Sequence, residues 1–99
     1  MATLNRAEIE AALRDLPGWS VRDGMLVKTY PHALFPEAIV FVNAVAHLAE
    51  LANHHPDVDI RYTDVTVSLV THDQGGLTSR DVSLARQIEG LRKQTAAKA

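Results

Sequence analysis

The stretch FPEAIVFVNAVAHLAELANHHPD, residues 35–57, decides the fold. Its apolar residues recur at steps of three and four, which places them on one side of an α-helix. We predict a helix from Phe35 to about Asn53 that ends before Pro56, because proline cannot continue a helix. The core side of this helix carries Ala38, Phe41, Val42, Val45, Leu48, Ala49 and Ala52.

A β-hairpin is predicted on each side of this long helix. In the first, WSVR (residues 19–22) and MLVKTY (residues 25–30) flank Asp23-Gly24, a dipeptide that suits a two-residue type I′ turn. In the second, apolar and polar residues alternate over residues 57–62 and again over residues 65–69, which is the period of a half-buried strand. The apolar positions of the second hairpin are Val58, Ile60, Tyr62, Val65, Val67 and Leu69.

Further helices are predicted near both ends of the chain. Asn5 followed by Glu8 is a capping-box pattern and predicts a short helix to about Asp15, while Thr78 predicts the start of a helix that runs to about Lys93. The order α-β-β-α-β-β-α indicates an α+β fold in which a four-stranded antiparallel sheet carries three helices on one face. Because the edges of such a sheet invite pairing, we expect a homodimer or homotetramer.

The composition limits the range of functions. The chain has 99 residues, 46% of them apolar, which suffices for one domain over residues 1–99. A net charge of −2 is not typical of a nucleic-acid-binding surface. The longest uninterrupted apolar run, Ala38 to Val42, is far shorter than the ~20 residues of a membrane helix, so we expect no membrane partner. The absence of cysteine excludes disulfides and thiol chemistry and is consistent with a cytoplasmic location.

Five histidines suggest proton chemistry. His54 and His55 lie at the predicted end of the long helix, and His72 follows the fourth strand in a predicted loop. Imidazole has an ordinary pKa of ~6.5, so it gives or takes a proton near neutral pH. Glu50 lies four residues before His54 on the side away from the core, a spacing at which a carboxylate can accept a ring N–H. We expect His54, His55 and His72 to converge on one pocket.

The long helix also has apolar residues on its second side. Val40, Ala44 and Leu51 lie there together with His47. A helix that is apolar on two sides usually has a second partner, which we interpret as another subunit. His47, and His32 in the loop before the helix, are interpreted as surface or interface residues.

Metal binding and nucleophilic catalysis are less favoured than acid–base chemistry. Convergent histidines could ligate zinc, with Glu50, Asp57 or Asp81 completing the coordination sphere. The chain has neither a cysteine nor an HExxH motif, however, and adjacent histidines rarely bind one ion together. No Ser or Thr lies in a nucleophile-elbow pattern, and Gly75-Gly76 is better explained as a turn than as a phosphate loop.

One spaced pattern resembles a known family. Glu50-xxx-His54-His55-Pro56 is followed after five residues by Tyr62, after nine more by His72 and after eight more by Asp81. This spacing is similar to the signature of the pterin-4a-carbinolamine dehydratases at every position. The resemblance extends over roughly residues 4 to 92, including the segments Gly18-Trp19, Thr71-His72-Asp73 and Gly75-Gly76-Leu77-Thr78.

The resemblance implies a fold and an activity. The fold is the same α+β arrangement, and the activity is dehydration of 4a-hydroxytetrahydropterin to the quinonoid dihydropterin. This reaction recycles the pterin of aromatic amino acid hydroxylases such as phenylalanine hydroxylase, and it implies no metal or other cofactor. Family members associate as dimers or tetramers through sheet edges and the central helix, which would give the second apolar side of that helix a role.

The resemblance also implies roles for individual residues. His54 and His72 would be the acid–base pair at the 4a-hydroxyl, Glu50 would orient His54, and His55 would mainly hold the pterin. The implied substrate-binding residues are His55, Pro56, Thr71, Asp73 and Asp81. For Asp81 a second role stays open, since the third residue of a helix often accepts hydrogen bonds from backbone N–H groups as part of the cap.

Two other functions remain open. Animal members of this family also act as dimerisation cofactors for a homeodomain transcription factor, so a protein-binding role is the main alternative to catalysis. A role in another pterin pathway, such as molybdenum cofactor metabolism, is a weaker alternative. The sequence does not indicate which pterin side chain is accepted.

Overall fold

A computed structural model describes the backbone of residues 2–98 and the side chains of residues 2–92. The element order confirms the predicted α-β-β-α-β-β-α arrangement, with a short 3₁₀ turn at His72–Gln74 in place of the predicted loop. The main elements are α1 (Arg6–Leu13), β1 (Ser20–Arg22), β2 (Met25–Pro31), α2 (Phe35–Ala52), β3 (Asp57–Arg61), β4 (Asp64–Leu69) and α3 (Ser79–Lys98).

The four strands form one antiparallel sheet in the order β1-β2-β4-β3. Tyr30 of β2 pairs with Val65 of β4, which in turn pairs with Ile60 of β3. Side chains at these positions lie on the face that the helices cover, because alternate residues of a strand share a face. The buried core lies between this face and the helices, and it includes Leu16, Trp19, Leu26, Tyr30, Ala38, Phe41, Val45, Ala49, Val65, Val67, Leu69, Leu77, Leu84, Ala85 and Ile88.

Local signals in the sequence account for the first helix and the first hairpin. Asn5 and Glu8 form the predicted capping box, in which each side chain accepts a hydrogen bond from the other's backbone N–H at 2.9 Å. Asp23 and Gly24 have φ angles of 52° and 77°, as the predicted type I′ turn requires.

The end of α2 turns the chain back on itself. Asn53 adopts a left-handed conformation with φ of 50°. Its N–H donates to the carbonyl of Glu50 at 3.2 Å, and the N–H of His54 donates to the carbonyl of Ala49 at 3.1 Å. These two hydrogen bonds form a Schellman motif, which satisfies the last helical carbonyls and reverses the chain direction. His54, the second residue after the helix, therefore no longer follows the direction of the helix.

The second hairpin differs from its prediction at its edge. Val58 and Ile60 of β3 are 39% and 38% exposed, because β3 is an edge strand that the helices cover only in part. Tyr62, predicted as a strand residue, lies in the turn with φ of 54° and is 75% exposed. The neighbouring strand β4 is buried as predicted.

α3 is longer than predicted, and α2 is long and apolar enough to resemble a membrane-spanning helix. α3 continues to Lys98 rather than ending near Lys93, which is consistent with the good helix formers Gln94, Ala96 and Ala97 in its last turns. The 18 residues of α2 have a mean hydropathy of 1.3, so by length and composition α2 could cross a membrane. Its buried residues pack within the domain core, whereas Val40 and Leu51 on its second side are exposed.

A buried carboxylate links α3 to the sheet. Glu89 of α3 accepts hydrogen bonds from Trp19 Nε1, Lys28 Nζ and Tyr30 Oη. Burial by itself raises the pKa of Glu89, but the hydrogen bonds from Lys28 and Tyr30 and the charge of Lys28 outweigh it and lower that pKa below the ordinary 4.5. Burial, followed by the bond to Glu89, raises the pKa of Tyr30 well above its ordinary range. Glu89 is thus held as an anion and Tyr30 as a neutral phenol.

Candidate active site

The candidate site is built around a buried contact between His54 and Asp81. His54 is only 8% exposed, and its Nε2 lies 2.6 Å from Oδ1 of Asp81, a residue that is fully buried. The two residues are 27 positions apart and come together because the turn after α2 directs His54 towards the first turn of α3. An ionised carboxylate only accepts hydrogen bonds, so Nε2 of His54 carries the proton of this contact.

Asp81 is held in place by two further donors. Its Oδ2 accepts from the Thr71 hydroxyl at 2.8 Å and from the Thr78 backbone N–H at 2.9 Å. The Thr71 and Thr78 hydroxyls are also hydrogen-bonded to each other at 2.8 Å. Asp81 therefore makes the predicted cap contact at the start of α3 and also holds the ring of His54, a contact that was not predicted.

The free nitrogen of His54 is the one that can exchange a proton. Its Nδ1 makes no hydrogen bond to any residue in the described part of the chain. No buried side-chain nitrogen or oxygen of these residues lacks a hydrogen-bond partner, so Nδ1 must keep some contact with solvent. The arrangement thus fixes the tautomer of the ring and leaves one nitrogen available for chemistry.

The predicted pairing of Glu50 with His54 is wrong. Glu50 contacts His55 instead, with Oε1 2.8 Å from Nε2, and both side chains are exposed. The predicted spacing requires both residues to be helical, whereas the Schellman turn removes His54 from the helix and buries it. The two adjacent imidazoles have different surroundings, since His54 is buried and His55 is exposed.

The remaining predicted site residues differ in their exposure to solvent. His72 and Asp73 are exposed on the 3₁₀ turn, and Pro56 is half-buried before β3. Thr71, directly before His72, connects the end of β4 to His54 through Asp81. Convergence of all three imidazoles on one ligand stays a prediction.

The side chains of Thr71 and Asp81, which the resemblance implies bind the substrate, are buried in this structure. Thr71 is 1% exposed and Asp81 is fully buried, so neither side chain presents a surface to a ligand. They are connected to His54 instead, Asp81 by a direct hydrogen bond and Thr71 through Asp81. Their role in binding stays a prediction.

The other two histidines have separate environments. His47 is exposed on α2, as predicted. His32 is half-buried rather than a plain surface residue: its Nδ1 lies 3.3 Å from the Thr63 carbonyl, and its ring centroid lies 5.1 Å from that of Phe41.

A cleft that His54 borders was not predicted from the sequence. It has a volume of about 340 Å³, within the ~300–1,000 Å³ typical of small-molecule sites. Arg80 lines this cleft, and its Nη2 donates to the Asn53 carbonyl at 2.9 Å. Nothing in the sequence pointed directly to Arg80, because its contact with Asn53 joins residues 27 positions apart. Only its place next to Asp81 in the chain indicated it. Among the residues described, no group of three or more His, Asp or Glu side chains is arranged to hold a metal ion.

Comparison with known proteins decides the family. The family model described as pterin 4 alpha carbinolamine dehydratase matches residues 2–91. The chain belongs to the pterin-4a-carbinolamine dehydratase family. A relative from Roseiflexus castenholzii, provisionally named as a pterin-4-alpha-carbinolamine dehydratase, is 56% identical over 91% of this chain and 97% of its own. A relative from Thermomicrobium roseum with the same provisional name is 50% identical over 92% of this chain and 98% of its own.

Solved structures agree with the dehydratase family. A protein from Brucella melitensis described as a transcriptional coactivator/pterin dehydratase matches with a TM-score of 0.85 and 32% identity, over 89% of this chain and 96% of its own. A pterin dehydratase-like protein described as a RuBisCO assembly factor in the alpha-carboxysome matches with a TM-score of 0.60 and 22% identity, over 74% of this chain and 84% of its own. The second likeness shows the fold alone. The predicted α+β fold is therefore confirmed.

Proposed function

We propose that this chain, as a single dehydratase domain, converts 4a-hydroxytetrahydropterin to quinonoid dihydropterin and water. The observation that carries the proposal is the buried His54–Asp81 contact, with Asp81 fixed by Thr71 and Thr78. Such an arrangement holds an imidazole in one tautomer with one nitrogen free, which general acid–base catalysis requires. Membership of the family supplies the reaction class.

The proposed chemistry needs two proton transfers. The C4a–O bond breaks as the hydroxyl takes a proton and leaves as water, and the N5 lone pair forms the new C4a=N5 bond as N5 loses its proton. We assign these transfers to Nδ1 of His54 and to the imidazole of His72. Positioned acid–base groups contribute typically ~10²–10⁴-fold to a rate, which is sufficient for a reaction that already proceeds slowly unaided.

The exposed residues are assigned to binding. His55, held by Glu50, would contact the pterin ring, and Pro56 and Asp73, which follow His55 and His72 directly in the chain, would bind it as well. Because the contact between His55 and Glu50 is exposed, its contribution to stability is small. Its value would lie in orienting the His55 ring.

Stopped-flow dehydration of an enzymatically generated carbinolamine tests the assignment. We expect His54→Ala and His72→Ala each to lower kcat at least about tenfold with the fold retained. We expect His55→Ala to raise KM more than it lowers kcat. His47→Ala, at an exposed histidine of α2, is the matched control and should behave as wild type. Wild-type rates in both His54→Ala and His72→Ala would overturn the mechanism.

The wider setting is proposed on the same basis. The pterin would be the one that aromatic amino acid hydroxylases use, the location would be the cytoplasm, and the active form would be a homodimer or homotetramer. Support for the oligomer comes from Val40 and Leu51, which are 68% and 72% exposed on the second side of α2. Apolar side chains this exposed on one helix face are typical of an interaction surface.

A protein-binding role is the second candidate. The same exposed side of α2 supports it, and the Brucella melitensis relative is described as both a coactivator and a dehydratase. The two candidates are separated by the stopped-flow experiment, because a purely protein-binding member would show no acceleration of dehydration over the uncatalysed rate.

A further inference from the structure

Arg80 is a cation without an acidic partner in the cleft beside His54. It makes no ion pair with a carboxylate of residues 2–92, and its guanidinium donates a hydrogen bond to the neutral Asn53 carbonyl. The adjacent carboxylate of Asp81 is fully buried and is engaged with His54, Thr71 and Thr78. The positive charge of Arg80 is therefore available to a ligand.

The other residues that line the cleft make it suitable for a polar anion. None of its lining residues is acidic, and Ser83 and Gln87 add neutral polar groups on the α3 side. Leu84 and Ala52 supply an apolar surface at the same cleft. A guanidinium with neutral donors beside it is the arrangement that proteins use to bind phosphate or carboxylate groups.

The proposed reaction places one end of the substrate next to this cleft. In a pterin, C4a, N5 and C6 are consecutive atoms along one edge of the ring. A substrate whose C4a-hydroxyl contacts His54 therefore has both its C4 carbonyl and its C6 substituent near this residue, and of these two only the substituent varies in length and charge. Because His54 borders the cleft with Arg80, a C6 substituent can extend from the ring into this cleft.

We infer that the cleft beside His54 binds the C6 substituent of the pterin and that Arg80 favours substituents carrying a phosphate or carboxylate. This inference rests on the proposed function, since it assumes that a pterin binds at His54. It assigns Arg80 a role in specificity rather than in proton transfer. It also predicts which kind of pterin side chain is preferred, which the sequence did not indicate.

Ligand affinities test the inference with the full chain. Binding would be measured by calorimetry for a 7,8-dihydropterin with a neutral hydroxyalkyl group at C6, for its phosphate ester, and for inorganic phosphate. The proteins would be wild type, Arg80→Gln, Arg80→Lys and Arg86→Gln. Arg86 is the matched control, because it is an exposed arginine of the same helix that pairs with Asp15.

We expect wild type and Arg86→Gln to bind the phosphate ester about tenfold or more tightly than the neutral pterin. Arg80→Gln should abolish this preference while leaving the affinity for the neutral pterin within about twofold, and Arg80→Lys should keep part of it. Inorganic phosphate alone should bind far more weakly than the ester, since it lacks the pterin contacts.

Each contrary result has a distinct meaning. Equal binding of the two pterins to wild type, or a preference that persists in Arg80→Gln, overturns the inference while leaving the proposed function intact. Loss of neutral-pterin binding in both Arg80 variants also overturns it and assigns Arg80 to holding the Asn53 turn. Inorganic phosphate binding as tightly as the ester also overturns the inference, because the anion would then bind independently of the pterin. No binding of either pterin overturns the proposed function together with the inference.

Discussion

Asp81 shows how one side chain can combine stability with positioning. Its carboxylate accepts from a helix N-terminal N–H, a threonine hydroxyl and the His54 ring, all without exposure to solvent. Each donor is itself buried, so the carboxylate cannot be lost without leaving polar groups unsatisfied. The site and the start of α3 therefore depend on the same residue.

Asp81→Asn tests this dual role. The amide must direct its NH₂ group at one of the three donors, so we expect a loss of about 1–3 kcal/mol in the free energy of unfolding. We also expect kcat to fall at least about tenfold with little change in KM, because His54 loses its positioning partner but the binding residues remain. Urea unfolding and stopped-flow rates measure the two effects. Unchanged stability and kcat would contradict the assignment.

Glu89 should make stability depend on pH. Its pKa is lower in the folded chain than the ordinary 4.5, so the folded state favours the carboxylate. The stability from this anion is complete above the unfolded pKa and is lost as pH falls through the folded pKa. We expect the free energy of unfolding to decline below about pH 5 more steeply in wild type than in Glu89→Gln. Parallel pH profiles for the two proteins in urea unfolding would show that Glu89 is not responsible.

At the scale of elements, the end of α2 has the largest effect on the site. A regular helix that continued to His54 would place that residue on the outer side with Glu50. The left-handed Asn53 and the two hydrogen bonds of the Schellman motif redirect the chain, so His54 reaches Asp81 and Glu50 is left with His55. The helix end thus decides which histidine is buried.

Substitution of Asn53 tests the importance of this turn. Alanine is strained in a left-handed conformation, so we expect Asn53→Ala to lose about 1 kcal/mol of stability and to slow dehydration. Asn53→Gly should stay within about 0.5 kcal/mol of wild type, because glycine adopts this conformation without strain. Asn43→Ala, at an exposed position within α2, is the control for loss of an asparagine and should be neutral or slightly stabilising. Equal stability and rate in Asn53→Ala would argue against a role for the turn.

At the scale of the whole molecule, the helices use only part of their apolar surface. One side of α2 packs in the core, while Val40 and Leu51 on its other side are mostly exposed. The edge strand β3 likewise leaves Val58 and Ile60 partly exposed. These surfaces fit the proposal that the chain associates with further copies of itself.

Sedimentation of surface variants tests self-association. We expect wild type to sediment as a dimer or tetramer at micromolar concentration, and Leu51→Lys to shift it to a smaller species because a charge would be buried in the interface. Ala11→Lys, at an exposed position of α1, adds the same charge away from α2 and should leave the assembly unchanged. A clean wild-type monomer would remove the prediction.

Local signals in the sequence were enough for the elements and their order. The Asn5–Glu8 capping box, the Asp23-Gly24 turn and the apolar period of α2 act over a few residues, so they could be interpreted before any packing was known. The same holds for β4, whose alternation matches its burial. The spaced signature also indicated the family that the comparisons confirm.

Tertiary structure decided which side chains meet. The contacts of His54 with Asp81, of Arg80 with Asn53 and of Glu89 with Lys28 join residues 27, 27 and 61 positions apart, and no local spacing predicts them. The prediction for Glu50 failed for the same reason, because it applied helical spacing across a point where the helix ends. The sequence by itself determined the elements, since their causes are local, whereas the partner of each buried charge depended on how those elements pack.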